Sequence, residues 1–166
     1  MEATRLEVGP SRCIAQQGNF AGKAEVALNV FFDSSALAKR YIVETGSDRI
    51  EAILSSASAL AVSVICIPEI ISALCRRRRE RKLSTVEYRN TKAAVLSDID
   101  DATIIGITEE VIAQAVVLLE QFTLRSADAL HIACASEWST DLFVSADERQ
   151  CQAARAQGLR VEAIRV

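Results

Sequence analysis

One histidine, two prolines and no pair of cysteines at metal-binding spacing are what this 166-residue sequence most plainly lacks. His131 stands alone. Cys13, Cys66, Cys75, Cys134 and Cys151 contain no C-x-x-C pair, so a Cys/His zinc centre has no ligand set. Cys66, Cys75 and Cys134 lie in apolar surroundings, where a free thiol behaves as a small hydrophobe. Two prolines and six glycines exclude collagen-like and low-complexity chains. The longest apolar stretches, residues 59–68 and 111–119, fall far short of the roughly 18 residues that span a bilayer, and no signal-like segment opens the chain. The expectation is a soluble, cytoplasmic protein with no membrane contact.

What is present is enough for one domain. Half the residues are hydrophobic, and a chain near this length buries roughly 68–70% of its unfolded surface without disulfides or metal. Residues 1–26 lack any periodicity and are read as an extension outside the fold, leaving 27–166 as the domain. Residues 26–32 form a short apolar run of the kind a buried strand shows. Helices are expected over 34–41 and 47–56, broken by Gly46, followed by a strand over 59–64. Pro68 suits the first turn of the next helix, and Ser84 with Glu87 forms a capping box for another. A strand at 103–107 precedes a helix from Thr108 with Val111, Ile112, Ala115, Leu118 and Leu119 on one face. Ser126 opens a helix burying Ala127, Leu130, Cys134 and Trp138. A strand at 142–145, a helix at 147–157 ended by Gly158 and a strand at 159–164 complete the chain. Strands alternating with helices make a three-layer α/β/α sandwich on a mainly parallel sheet.

In such sheets ligands bind beyond the carboxyl ends of the strands. Asp33 directly follows the first strand, and Asp147 comes two residues after Ser145 at the end of the fourth. Glu69 and Asp128 fall in the first turns of two helices. Each has an ordinary explanation as a helix cap or a first-turn acid favoured by the helix dipole. Gathered at one edge, four anions would repel unless cations compensate. Oxygen-only, carboxylate-rich sites suit Mg²⁺ or Mn²⁺.

The stretch Phe32-Asp33-Ser34-Ser35-Ala36-Leu37-Ala38-Lys39-Arg40-Tyr41 resembles the opening motif of PIN-domain proteins, particularly VapC-type toxins of type II toxin–antitoxin modules. Pro68-Glu69-Ile70-Ile71-Ser72-Ala73-Leu74 is similar to their second motif. Leu124-Arg125-Ser126-Ala127-Asp128-Ala129-Leu130-His131-Ile132-Ala133 is close to their third, the most specific of the set. Phe143-Val144-Ser145-Ala146-Asp147 matches the fourth. The resemblance runs from about Asn29 to Val166. It implies a PIN-like fold and a metal-dependent endoribonuclease, the toxin of a toxin–antitoxin pair, with a cognate antitoxin as partner and a homodimeric state. It also implies Asp33, Glu69, Asp128 and Asp147 as catalytic carboxylates. Asp33, Asp128 and Asp147 would hold Mg²⁺ (or Mn²⁺), Glu69 would ligate or position the attacking water, and Ser145 would support the site.

The neighbours of these positions admit more than one reading. Arg76, Arg77, Arg78, Arg79, Arg81 and Lys82 crowd one seven-residue window, interrupted only by Glu80, in a chain of net charge −3. Arg76 follows Glu69 by seven residues and shares its helix face. The run is a solvated helix end, an RNA contact, or a dock for an acidic partner. Lys39 and Arg40 would either meet phosphate or cover apolar surface with their stems. His131 is expected in a packing or supporting role, and Trp138 and Phe122 in the core. No aromatic series interleaves with the basic residues, so no base-stacking platform is expected. A signalling receiver would carry an acidic pair after its first strand and a lysine after its last, where this chain has a lone Asp33 and Arg165. A PIN fold used only as a protein-interaction module is the remaining rival, and metal binding separates it from the nuclease.

Overall fold

A computed structural model describes residues 28–42 and 45–165. The expectation for residues 1–26 therefore lies outside the described residues. The elements run β1 (Asn29–Phe32), α1 (Ser34–Tyr41), α2 (Ser47–Ser56), β2 (Ala59–Ser63), α3 (Cys66–Arg79), α4 (Thr85–Asp100), β3 (Thr103–Ile105), α5 (Glu109–Gln121), α6 (Ser126–Glu137), β4 (Leu142–Ser145), α7 (Glu148–Ala156) and β5 (Val161–Ala163). The five strands pair in the order β3-β2-β1-β4-β5, all parallel.

The layering follows from side-chain alternation along β1, the central strand. Val30 and Phe32 face one side, with Leu60, Val62, Leu142 and Val144 of the neighbouring strands and the apolar stripes of α1 to α4. Phe31 faces the other, stacked on Phe143 at 5.9 Å between ring centroids and packed against α5, α6 and α7. Residues buried on both faces explain why β1 reads as a continuous apolar run rather than an alternating one. The chain moves outward from β1 through β2 to β3, then returns to place β4 on β1's other side. The strand order reverses between β1 and β4, the crevice where ligands of such sheets bind.

Most element ends stand where local chemistry puts them. Ser84 caps α4 and Glu87 returns the bond, completing the capping box. Gly46, at φ +97, breaks α1 from α2, and Gly158, at φ +84, ends α7. Several expectations are corrected. α3 begins at Cys66, two residues before Pro68, which still lies in the first turn where its missing N–H costs no helical bond. β3 and β5 are three residues each, because both are sheet edges with a partner on one side only. On α5 only Val111, Ala115 and Leu118 are buried, while Ile112 and Leu119 stay exposed. α6 buries Ala129 and every residue from His131 to Ala135, because it lies between the sheet and α5, whereas Leu130 and Trp138 are only partly covered. Among the described residues no helix is long and apolar enough to cross a membrane.

Candidate active site

Asp33 ends β1 and caps α1 at the reversal point, its backbone N–H donating to the Val144 carbonyl of β4 at 3.0 Å. Its carboxylate is buried, 3% exposed, and takes its hydrogen bonds from neutral groups. Oδ1 accepts from Ala36 N–H at 2.8 Å; the Ser35 hydroxyl lies 2.7 Å and the Ser145 hydroxyl 2.9 Å from Oδ2. Burial raises the Asp33 pKa above the usual carboxylate value, outweighing the lowering effects of His131 and these donors.

Ser145 is the hub on the β4 side. Its Oγ accepts the Asp147 N–H at 3.0 Å and lies 2.9 Å from Asp33 Oδ2 and 2.6 Å from Gln150 Oε1. A hydroxyl has one hydrogen, and both of those neighbours are acceptors, so one is short of a donor when Asp33 is ionised. Gln150 in turn donates to the Asp128 carbonyl at 3.1 Å. Asp147 caps α7, its Oδ1 accepting from Arg149 N–H at 2.9 Å and Gln150 N–H at 3.1 Å. Asp128 sits in the first turn of α6 and accepts the Arg125 N–H at 3.0 Å.

Glu69, in the first turn of α3, belongs to a second set. Its Oε2 accepts from the Ser34 hydroxyl at 2.6 Å and from His131 Nε2 at 2.7 Å. Burial pushes its pKa up, but the His131 and Ser34 hydrogen bonds and the charge of His131 together carry it below the ordinary value. His131 is buried, with Nδ1 3.0 Å from the Ser63 hydroxyl at the end of β2 and its ring edge-on to Phe31. Because a carboxylate only accepts, Nε2 carries a hydrogen, and Nδ1 accepts from Ser63 when the ring is neutral.

The structure thus joins Asp33, Ser145 and Asp147 directly, ties Asp128 in through Gln150 and its own backbone, and brings Glu69 alongside through Ser34, the neighbour of Asp33. Among the described residues no three His, Cys, Asp or Glu side chains form a ready-made ligand set. The donor chemistry nonetheless fits a hard cation. A buried carboxylate held by neutral donors, with one hydroxyl hydrogen shared between two acceptors, is short of positive charge, and all the available atoms are oxygens.

Lys39 does not fit the expectation of a phosphate contact. It is 3% exposed, and its Nζ donates to the Thr45 carbonyl. Arg40 is likewise engaged, 2.8 Å from Asp98 and 2.7 Å from Glu51. Arg76 is exposed and Arg77 half-buried at the far end of α3. Sequence reasoning missed Ser34, Ser35, Ser63 and Gln150. Ser34 and Ser35 follow Asp33 directly, and Gln150 stands three residues after the cap Asp147, where a side chain can turn back toward the helix start.

Residues 30–156 match the family model described as the PIN domain. Ribonuclease VapC45 of Mycobacterium tuberculosis (strain CDC 1551 / Oshkosh) is 30% identical over 139 residues, covering 77% of this chain and 96% of that protein. Among solved structures, Mycobacterium tuberculosis VapC20, a sarcin–ricin loop cleaving toxin, has a TM-score of 0.59 at 17% identity, covering 78% of this chain and 95% of its own. DNA-bound VapBC from Salmonella typhimurium has a TM-score of 0.58 at 13% identity, covering 82% and 98%. The two structures share the fold.

Proposed function

The chain belongs to the PIN-domain family, and from that premise we propose that it is a divalent-metal-dependent endoribonuclease, the toxin of a toxin–antitoxin pair. The observation that carries the reading is Asp33: a buried, cation-hungry carboxylate at the strand-order reversal, hydrogen-bonded through Ser145 to the start of α7. The identity with a named ribonuclease supports RNA as the substrate. Residues 27–166 form the catalytic domain and residues 1–26 an extension.

Asp33, Asp128 and Asp147 hold Mg²⁺ or Mn²⁺. When bound, the ion lowers the pKa of water and stabilises charge developing at the scissile phosphate. Glu69, kept ionised by His131 and Ser34, orients the attacking water. Ser145 and Gln150 fix Asp33, the cap of α7 and the Asp128 backbone relative to one another. The protein works in the cytoplasm, where Cys66, Cys75, Cys134 and Cys151 remain the free thiols they are here. It pairs with a cognate antitoxin and with a second copy of itself; exposed Ile104, Ile112 and Val116 supply apolar surface for such contacts.

The test is incubation of the full chain with a mixed RNA pool in Mg²⁺, Mn²⁺ or EDTA, alongside thermal melts. Cleavage confined to the divalent-metal samples, with a raised Tm, is expected. Cleavage in EDTA would sink the metal role. No cleavage and no shift in Tm would make the chain a binding module.

A further inference from the structure

We propose that the basic end of α3, carrying Arg76, Arg77, Arg78, Arg79 and Arg81, grips the RNA backbone beside the acidic site and does so without metal; this rests on the ribonuclease reading above. The first reason is unpaired charge. Four arginines elsewhere stand against carboxylates: Arg40 on Asp98 and Glu51, Arg49 on Glu162, Arg149 on Asp147 and Arg155 on Glu148. Among the described residues none of the five arginines in the run forms an ion pair, and only Lys82 does, with Glu80. Six cations against Glu80 give residues 76–82 a charge of +5 within a chain of −3. A solvated helix end gains from two or three cations near its carbonyls, but the dipole effect fades beyond the last turn. It does not account for six.

The arginines are also held for use. Arg78 lies with Cζ 4.6 Å above the Tyr88 ring of α4, which fixes the run against the neighbouring helix. The Arg77 Nε–H is buried with no hydrogen-bond partner among the described residues, a costly state for a charged donor. A phosphate at the guanidinium edge would draw it outward and satisfy it.

The second reason is position. Glu69 lies in the first turn of α3 and Arg76 stands seven residues on, about 10 Å along one face of a continuous helix. Asp33, Glu69, Asp128 and Asp147 repel a phosphodiester, so affinity for RNA has to come from cations nearby. Lys39 is buried, Arg40 is neutralised by Asp98 and Glu51, and Arg125 and Arg149 are single cations beside Asp128 and Asp147, so the concentrated positive charge lies at the end of α3. An acidic protein segment would satisfy the same charges, but only the substrate must touch both ends of this helix. That favours RNA.

The test is anisotropy of a labelled, short mixed-sequence RNA in EDTA over a range of salt. The proteins are the full chain, the double variant Arg76→Gln/Arg79→Gln, and a charge-matched control, Arg155→Gln/Arg160→Gln, with melts to confirm folding. Each phosphate contact contributes about 0.7 to the slope of log affinity against log salt on single strands, so the double variant should lose about 1.4 of slope and about tenfold or more in affinity. The control should keep both. Equal losses in the control, or none in the double variant, would overturn the proposal. So would tight binding of polyglutamate with no RNA binding, which would mark a dock for an acidic protein. Cleavage in Mg²⁺ is followed in parallel. RNA binding that changes as expected without cleavage by the unsubstituted chain sinks the nuclease reading and leaves the grip; cleavage with binding unaltered in the double variant sinks the grip alone.

Discussion

His131 Nε2 on α6 lies 2.7 Å from Glu69 Oε2 on α3, a contact between two helices that enter the site from opposite faces of the sheet. It holds a half-exposed carboxylate ionised by means of a buried ring whose other nitrogen is anchored on Ser63. Replacing His131 with leucine leaves Ser63 and Glu69 without this partner and should cost about 1–3 kcal/mol by denaturant unfolding. The pH dependence follows from the sign of the shift. A lowered folded pKa gives stability that is present above the unfolded carboxylate value, about 4.3, and is lost as the pH falls through the folded value. His131→Leu should remove that acid-side loss, and NMR titration should show the Glu69 carboxyl protonating at higher pH than in the unsubstituted chain. An unchanged Glu69 titration would mean that the ring does not hold it.

How much of this was legible in the residues depends on how local each cause is. The capping box Ser84–Glu87, the break at Gly46 and the strand-end positions of Asp33 and Asp147 are set within four residues of chain, and the sequence pattern reaches that far. Helical spacing finds the apolar residues of α5 but not which way its neighbour lies, so Ile112 and Leu119 were expected inside and stand outside. The same limit hid the burial of Lys39. Ser63 meets His131 across 68 residues of chain, a partnership made only by strand order. The fold class needed period and punctuation alone; the supporting hydroxyls needed three dimensions.

Arg81 and Ser139 both take left-handed backbone, at φ 59 and 55, where helices usually end in glycine. Each sits in the same double hydrogen-bond pattern: Arg81 N–H to Arg78 O with Lys82 N–H to Arg77 O, and Ser139 N–H to Ser136 O with Thr140 N–H to Ala135 O. Arg81→Gly and Ser139→Gly should each stabilise by about 0.5–1 kcal/mol, the relief of the Cβ clash less the added chain entropy. That is a rise of a few degrees in Tm by calorimetry. Only Arg81→Gly should also weaken RNA binding in EDTA. If neither variant is stabilised, the strain assigned to these turns is absent.

Gly46 has the opposite requirement. It sits at φ +97, and a Cβ there would stand 2.5 Å from Ile164 Cγ2, on the segment following β5. Gly46→Ala combines backbone strain with overpacking and should cost about 2–4 kcal/mol in urea unfolding. The loss reports on the seam between the α1–α2 turn and the segment after β5, where the Ile164 N–H donates to the Ser145 carbonyl at 2.8 Å. A variant as stable as the parent would show that the turn and Ile164 move apart easily.

Asp33→Asn separates the structural role of this residue from its chemistry. Asparagine caps helices about as well as aspartate, so the bond to Ala36 N–H survives through Oδ1. Its amide brings a new hydrogen toward Ser145, which can then give its own hydrogen to Gln150 without leaving an acceptor unserved. The sign of the pKa shift points the same way. A buried acid with a raised folded pKa is most favourable when protonated, and its contribution falls as the pH rises through that value, so at neutral pH the charge of Asp33 costs stability. The variant in EDTA should melt at the parent's temperature or a few degrees higher at neutral pH, and the gain should vanish in acid. Mg²⁺ should no longer raise its Tm, because a neutral amide is a poor ligand for a hard dication. Single-turnover cleavage of a mixed RNA pool should fall by about 100-fold or more, the scale of losing one well-placed electrostatic group. A helix cap with no chemical role would give the reverse, a small loss of stability and unchanged cleavage. Cleavage retained in Asp33→Asn would remove Asp33 from the site, and the metal assignment with it.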